Sequence, residues 1–202
     1  RRYAFILDGV TTNPTLVAQE KDRYRFQELI REITKIVEGP VSVEAVTATA
    51  DEIVKEAKGL ASLSPNVVVK VPMTLDGLAA TRKLAKAGIR TNVTLVFSVN
   101  QAILAAKAGA TYASIFVGRM DDIGWDGIAV VRDTVQVYAK HGWPTKVITA
   151  SVRHPLHVTA AAMAGTHAIT IPPKVLGQMA AHHLTDAGLA KFLEDWKKVR
   201  TS

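Results

Sequence analysis

Short runs rich in β-branched residues alternate along the chain with longer stretches in which apolar positions recur every three to four residues. The runs at 6–12, 41–46, 67–71, 91–96, 112–117, 146–150 and 168–171 have the length and composition of strands. Between them, Phe26, Leu29, Ile30, Ile33 and Val37 share one helical face, and Ile128, Val131, Val135 and Tyr138 share another. Leu189, Phe192, Leu193, Trp196 and Val199 form a third such face, on a C-terminal helix expected over about 186–200. Ser98 with Gln101 has the spacing of a capping box, and Asp186 suits the cap of the last helix. Gly88, Gly109 and Gly165 each stand where a helix stops and a strand begins, the place for a left-handed residue. No linker or low-complexity tract interrupts the alternation, so 1–202 is expected to be a single βα domain.

Repeated βα units close either into a doubly wound open sheet or into an eight-stranded TIM barrel. No strand is followed by the glycine-rich turn of a dinucleotide or P-loop site, which weakens the open sheet. Polar residues favour the barrel. Asn13, Glu44, Lys70, Asn92, Thr94, Ser114, Arg119, Ser151 and Arg153 all lie in or just after strands, and a barrel brings the C-terminal ends of its strands to one mouth. Lys70 is the most telling of them. It interrupts Val67-Val68-Val69-Lys70-Val71-Pro72, a run apolar on both sides of the pleat and therefore expected to be covered on both faces. Burial disfavours an ammonium, and an amine held in its neutral form is the nucleophile of Schiff-base chemistry. A lysine at a strand end that snorkels to water is the plainer reading of the isolated motif.

Composition narrows the function. The chain has 202 residues, 48% of them hydrophobic, enough for one well-formed core. It contains no cysteine, which excludes a disulfide framework and a thiol nucleophile and is compatible with a reducing cytoplasm. No apolar run approaches the length of a membrane span, and Asp8 interrupts the only apolar stretch near the start, so no membrane association and no signal peptide are expected. The net charge is +7, but Lys55, Lys58, Lys83, Lys86, Lys197 and Lys198 are dispersed along helices with acids nearby. Without an aromatic-basic stripe, that charge does not point to nucleic acid. His154 and His157 stand three apart, and His182 and His183 are adjacent, yet neither pair carries the carboxylate of a metalloprotease motif, so no metal is expected. Trp125, Trp143 and Trp196 are expected to be packing residues.

A mouth holding those polar residues has a coherent chemistry. An amine attacks a ketone, Glu44 and Thr94 hold or polarise a water that shuttles protons, and Asn13 and Asn92 orient sugar hydroxyls. Arg119 and Arg153 come late in barrel order, where phosphate sites are common, and guanidinium grips phosphate oxygens in pairs. Taken singly, Glu44 could serve a structural pair, the asparagines could close turns, and the arginines could be surface charges.

Five motifs then carry a resemblance. Gly9-Val10-Thr11-Thr12-Asn13-Pro14-Thr15, Val68-Val69-Lys70-Val71-Pro72-Met73-Thr74, Thr91-Asn92-Val93-Thr94-Leu95-Val96-Phe97-Ser98, Phe116-Val117-Gly118-Arg119-Met120-Asp121 and Ala150-Ser151-Val152-Arg153-His154-Pro155 resemble the transaldolase family, in particular its small bacterial and archaeal members related to fructose-6-phosphate aldolase. The resemblance runs nearly end to end. It implies a TIM barrel in which Lys70 forms a Schiff base with a ketose phosphate and a dihydroxyacetone unit passes to an aldose phosphate, in the cytoplasmic pentose phosphate pathway. It also implies Glu44 and Thr94 as holders of the catalytic water, Asn13, Asn92, Ser114 and Phe116 as substrate contacts, and Arg119, Ser151 and Arg153 as the phosphate site. It implies no cofactor, sugar phosphates as the partners, and a homo-oligomer, since short members assemble as pentamers or decamers. Glu44 and Phe116 resemble the transferases of the family, where the aldolases usually carry glutamine and tyrosine.

The family normally opens with a strand ending in Leu-Asp-Thr, whose aspartate transfers protons, and this sequence begins near the helix that follows. Asp8 resembles a different acidic position. The expectation is therefore a barrel whose first strand is missing from these 202 residues, in a sequence that records a complete protein incompletely. Two alternatives stand beside the transferase: a fructose-6-phosphate aldolase that releases free dihydroxyacetone, and a noncatalytic phosphosugar-binding barrel if the chain is truly short.

Overall fold

The computed structural model describes residues 2–20 and 23–200, with no side-chain account of Arg200. Seven parallel strands lie in chain order in one sheet: β1 (Val10–Thr11), β2 (Val41–Glu44), β3 (Val67–Pro72), β4 (Thr91–Val96), β5 (Tyr112–Phe116), β6 (Lys146–Ala150) and β7 (Ala168–Ile169). Helices alternate with them: α1 (Pro14–Gln19), α2 (Phe26–Ile36), α3 (Ala50–Ala61), α4 (Leu75–Lys86), α5 (Val99–Ala108), α6 (Val117–Asp121), α7 (Gly127–His141), α8 (Pro155–Met163), α9 (Pro173–Ala180) and α10 (His183–Arg200). This is the α/β barrel architecture, a sheet curled with its helices outside. β1 and β7 form no ladder with each other, yet Thr11 Oγ1 and Thr170 Oγ1 lie 2.6 Å apart, so the curl brings the two ends of the sheet together at one point.

The pleat sorts the residues. Val41, Val43, Val67, Val69 and Val71 face outward and bury against Ile30, Ile53, Ala57, Leu60, Ala80 and Leu84 of α2, α3 and α4. Val93, Ala113, Ile115 and Val147 do the same against Ala102, Ala105, Val131 and Tyr138 of α5 and α7. The intervening residues, Ser42, Glu44, Lys70, Asn92, Thr94 and Ser114, therefore point to the inside of the curl, because side chains alternate along a strand. Tyr138 is buried, donates its hydroxyl to Ala102 O at 2.5 Å, and has its phenol pushed well above the ordinary tyrosine range by desolvation.

Several boundaries differ from the sequence expectation. The run 6–12 yields only Val10–Thr11, because its partner β2 begins after Pro40. Val10 N bonds Pro40 O at 2.9 Å, and Ala4–Ile6 winds into a 3-10 turn instead. The run 168–171 shortens to two residues ahead of Pro172-Pro173, which have no amide hydrogens to continue the ladder. The last helix begins at His183, so Asp186 lies in its first turn and is not its cap. Ser98 caps Gln101 N as expected, while Gln101 Oε1 accepts from Phe97 N at 2.8 Å, one residue ahead of the cap. Gly88, Gly109 and Gly165 do adopt positive φ, at 73°, 89° and 80°. Trp143 packs on Tyr138 with ring centroids 5.8 Å apart, but Trp125 and Trp196 are exposed. So is the apolar face of α10, including Leu189, Phe192 and Leu193. No helix among the described residues is long and apolar enough to cross a membrane.

Candidate active site

Strand register builds the centre of the mouth. Glu44 pairs with Lys70 and Lys70 with Asn92 across β2, β3 and β4, which puts three inward side chains in one layer. Lys70 is 5% exposed, and its Nζ donates to Glu44 Oε2 at 2.8 Å and to Thr12 O at 2.9 Å. An ion pair so far from water keeps its place only when hydrogen bonds accompany the charge, and the Thr12 carbonyl supplies one. The ammonium does not snorkel out. The β1 turn that presents this carbonyl is itself tied to β2, by Thr12 N and Thr12 Oγ1 donating to Ser42 O at 2.9 and 2.8 Å.

A polar chain underlies the pair. Asn92 is fully buried, donating Nδ2 to Ser42 Oγ at 3.2 Å and accepting from Ser114 Oγ at 2.7 Å. Thr94 stands one layer nearer the strand ends, paired with Pro72, and its buried hydroxyl has no protein hydrogen-bond partner among the described residues. Thr81 and Thr134 share that condition on helices, and Thr91 on the outward face of β4, so Thr94 is the one that faces the interior. A buried hydroxyl without a partner costs about 1–3 kcal/mol, which a water or a ligand atom at that place would recover. Just beyond it, β4 is irregular between Val93 and Val96, and Leu95 sits at φ 61°.

Asn13 has a double position. Its Oδ1 accepts from Leu16 N at 2.9 Å and caps α1, while its backbone follows the Thr12 carbonyl that holds Lys70. A cleft of about 330 Å³, lined by Thr12, Asn13, Pro14, Phe26, Glu44 and Glu56 among others, opens on the Glu44 side of the Lys70–Glu44 pair, and Lys70 is not part of its wall. Its volume is that of a small-molecule pocket. Glu56 was not picked out from the sequence. It binds Val46 N at 3.0 Å, Thr47 N at 3.1 Å and Thr47 Oγ1 at 2.8 Å, and so fixes the loop that leaves β2 after Glu44. Ser42 was also missed, although its position two before Glu44 puts it on the same face of β2.

The arginines form the rim. Phe116 ends β5, half-buried, with its ring centroid 5.8 Å from Phe97 and the Arg119 guanidinium carbon 5.1 Å above it. Arg153 follows β6, is exposed, and pairs through Nη2 with Asp122 Oδ2 at 2.8 Å. Ser151 lies between strand and arginine at φ 61°. Its carbonyl accepts from Gly118 N at 3.1 Å, and a Cβ on Gly118 would stand 2.1 Å from that oxygen, so α6 and the β6 turn touch backbone to backbone. The structure thus sets two hydrogen-bonded pairs, Lys70 with Glu44 and Asn92 with Ser114, side by side in strand register, and joins Phe116 to Arg119. The Ser151–Arg153 turn meets the α6 that carries Arg119.

The profile of the transaldolase/fructose-6-phosphate aldolase family matches residues 2–202. A protein of Pelotomaculum thermopropionicum described as a probable transaldolase is 55% identical over 195 residues, which cover 96% of this chain and 90% of that protein. A protein of Desulforudis audaxviator with the same description is 56% identical over 196 residues, again with 96% and 90% covered. Among solved structures, inosine 5′-monophosphate dehydrogenase from Legionella pneumophila superposes with a TM-score of 0.57 at 12% identity, over 84% of this chain and 58% of that one, a likeness of fold alone.

Proposed function

The chain belongs to the transaldolase/fructose-6-phosphate aldolase family, and from that premise we propose that it is a transaldolase whose Lys70 forms the Schiff base with a ketose phosphate. The observation that carries this reading is the inward Lys70 amine, 2.8 Å from the carboxylate of Glu44 and in register with an amide. Nζ adds to the donor ketone, such as that of fructose 6-phosphate or sedoheptulose 7-phosphate, and water leaves as the iminium forms. The neighbouring hydroxyl then gives up its proton, the C3–C4 bond breaks, and an aldose phosphate departs. The three-carbon enamine left on Lys70 adds to the incoming aldehyde, and hydrolysis frees the new ketose phosphate.

Glu44 and Thr94 serve these proton transfers through a water. The carboxylate against Nζ supports this, as does the unpartnered Thr94 hydroxyl on the same inner surface. Asn92, Ser114 and Asn13 hold substrate hydroxyls, and Arg119, Ser151 and Arg153 bind phosphate. Phe116 offers no acidic hydroxyl to quench the enamine, which favours transfer over release of dihydroxyacetone. The reaction is assigned to the cytoplasmic pentose phosphate pathway and needs no cofactor. A homo-oligomer is part of the proposal, supported by the exposed Leu189, Phe192, Leu193 and Trp196 on α10.

The test is an assay of three-carbon transfer by the full-length protein, with fructose 6-phosphate as donor and erythrose 4-phosphate as acceptor. Formation of sedoheptulose 7-phosphate with little free dihydroxyacetone is expected. Steady dihydroxyacetone release without acceptor would make the protein the aldolase of its family, and binding without turnover would make it a phosphosugar-binding barrel.

A further inference from the structure

Ser151, two residues ahead of Arg153, holds a left-handed conformation that is strained for a residue with a side chain and persists only where the surroundings enforce it. Two contacts to its backbone hold this turn among the described residues, besides the Arg153–Asp122 ion pair of its side chain. One is the Gly118 amide on Ser151 O. The other is a buried imidazole: Arg153 N donates to His157 Nδ1 at 3.2 Å, and His157 Nε2 lies 2.6 Å from Asp121 Oδ2. His157 is 5% exposed, although the arginine it supports is open to solvent.

These contacts fix the tautomer. With Nδ1 accepting a backbone amide, the ring hydrogen sits on Nε2 and is donated to Asp121. The other Asp121 oxygen accepts from Gly127 N at 3.4 Å, at the start of α7. His154 is oriented alike, since its Nδ1 accepts from His157 N at 3.3 Å and caps α8. Asp121, His154 and His157 come close enough to look like a metal triad. Coordination through Nε2 would move each ring hydrogen to Nδ1, directly against a backbone N–H, so these hydrogen bonds and a cation on Nε2 exclude each other.

We propose that His157, oriented by Asp121, is a positioning residue that holds the Ser151–Arg153 turn in the shape that presents its phosphate-binding groups. This rests on the reading of Arg119, Ser151 and Arg153 as the phosphate site. His157 touches no substrate; it acts through the Arg153 amide. Its loss therefore weakens the grip on phosphorylated donors and spares the amine end of the mouth.

The experiment measures half-saturation of borohydride trapping, in the full-length protein, by fructose 6-phosphate and by unphosphorylated dihydroxyacetone. In His157→Leu the concentration of fructose 6-phosphate needed rises about tenfold, the scale of one lost buried hydrogen bond and the amide it leaves unpaired, while that of dihydroxyacetone stays within about twofold. His157→Asn, whose Oδ1 can replace Nδ1 as acceptor for the Arg153 amide, recovers most of the loss. Asp121→Asn shifts the same ratio by a smaller factor and carries the comparison if the leucine variant does not fold. An equal loss for both ligands, or no loss for either, overturns the proposal. Arg119→Ala and Arg153→Ala are the reference. If they leave the ratio of the two ligands unchanged, the phosphate-site reading fails. If they shift it and His157→Leu does not, only the positioning role fails.

Discussion

Lys70 and Arg153 stand at the same mouth and are held in opposite ways. Lys70 is almost wholly enclosed, on a strand paired on both sides, and its place follows from register and two hydrogen bonds. Arg153 is exposed on a turn, and its backbone is fixed by a strained serine and a buried histidine beneath it. The contrast fits the two tasks proposed for them, nucleophile and phosphate grip. A nucleophile needs a dry place whose neighbours do not rearrange as the reaction proceeds, which a sheet interior supplies. A phosphate grip must meet a group arriving from water, so its charged ends lie outside and only its support is buried.

Removing the amine has the largest expected effect. Lys70→Met is expected to lower turnover by a factor on the order of 1,000 or more, measured as sedoheptulose 7-phosphate formed, because the covalent route is lost. Glu44→Gln keeps the shape and removes the charge, and kcat is expected to fall about 100-fold, the usual worth of a positioned proton-transfer group. Arg153→Ala acts at the other end. There the KM for fructose 6-phosphate is expected to rise about 10- to 100-fold, the value of a charge-assisted hydrogen bond or two. Trapping by dihydroxyacetone should hold, and if it falls equally the two ends are not separable.

Phe116→Tyr tests the boundary between the ends. A phenol at that place is expected to raise the fraction of turnovers ending in free dihydroxyacetone about two- to tenfold, read from product ratios with and without acceptor. The smallest effect on activity belongs to Tyr138, which lies behind the sheet. Tyr138→Phe loses one hydrogen bond to Ala102 O and about 1 kcal/mol of stability in urea unfolding, with turnover unchanged. It also has a pH signature. Burial raises the folded phenol above the unfolded value of about 10, so in strong alkali the unfolded state loses its proton first and wild-type stability falls as pH climbs past that point. That component is absent from the phenylalanine variant.

Much of the amine end was legible in the sequence. A lysine among valines announces itself, and Glu44, Asn92 and Ser114 stand at comparable places on neighbouring strands, so the pattern placed them at one mouth. What the sequence did not reveal is which atoms meet. Strand register decides that Glu44 and Asn92 flank Lys70, and the Thr12 carbonyl that completes its hydrogen bonding is backbone, carrying no mark of its own. The rim was less legible. Spacing relates His157 to His154 three residues before it, whereas its Nε2 meets Asp121, 36 residues earlier on a different helix, which only the folded chain brings near. The amphipathic face of α10 was visible in the heptad-like spacing of Leu189, Phe192, Leu193 and Trp196. Spacing says that such a face is apolar without saying what it meets, and in this chain it faces outward.

The central claim is that the enclosed amine, and no other group, makes the covalent bond to the donor. Reduction of the full-length protein with borohydride in the presence of fructose 6-phosphate, followed by peptide mass analysis, tests it. A single adduct of a three-carbon dihydroxyacetone unit on Lys70 is expected, absent when the ketose is omitted and absent from Lys70→Met. An adduct on any other lysine, or full transfer activity with Lys70 left unmodified, would contradict it.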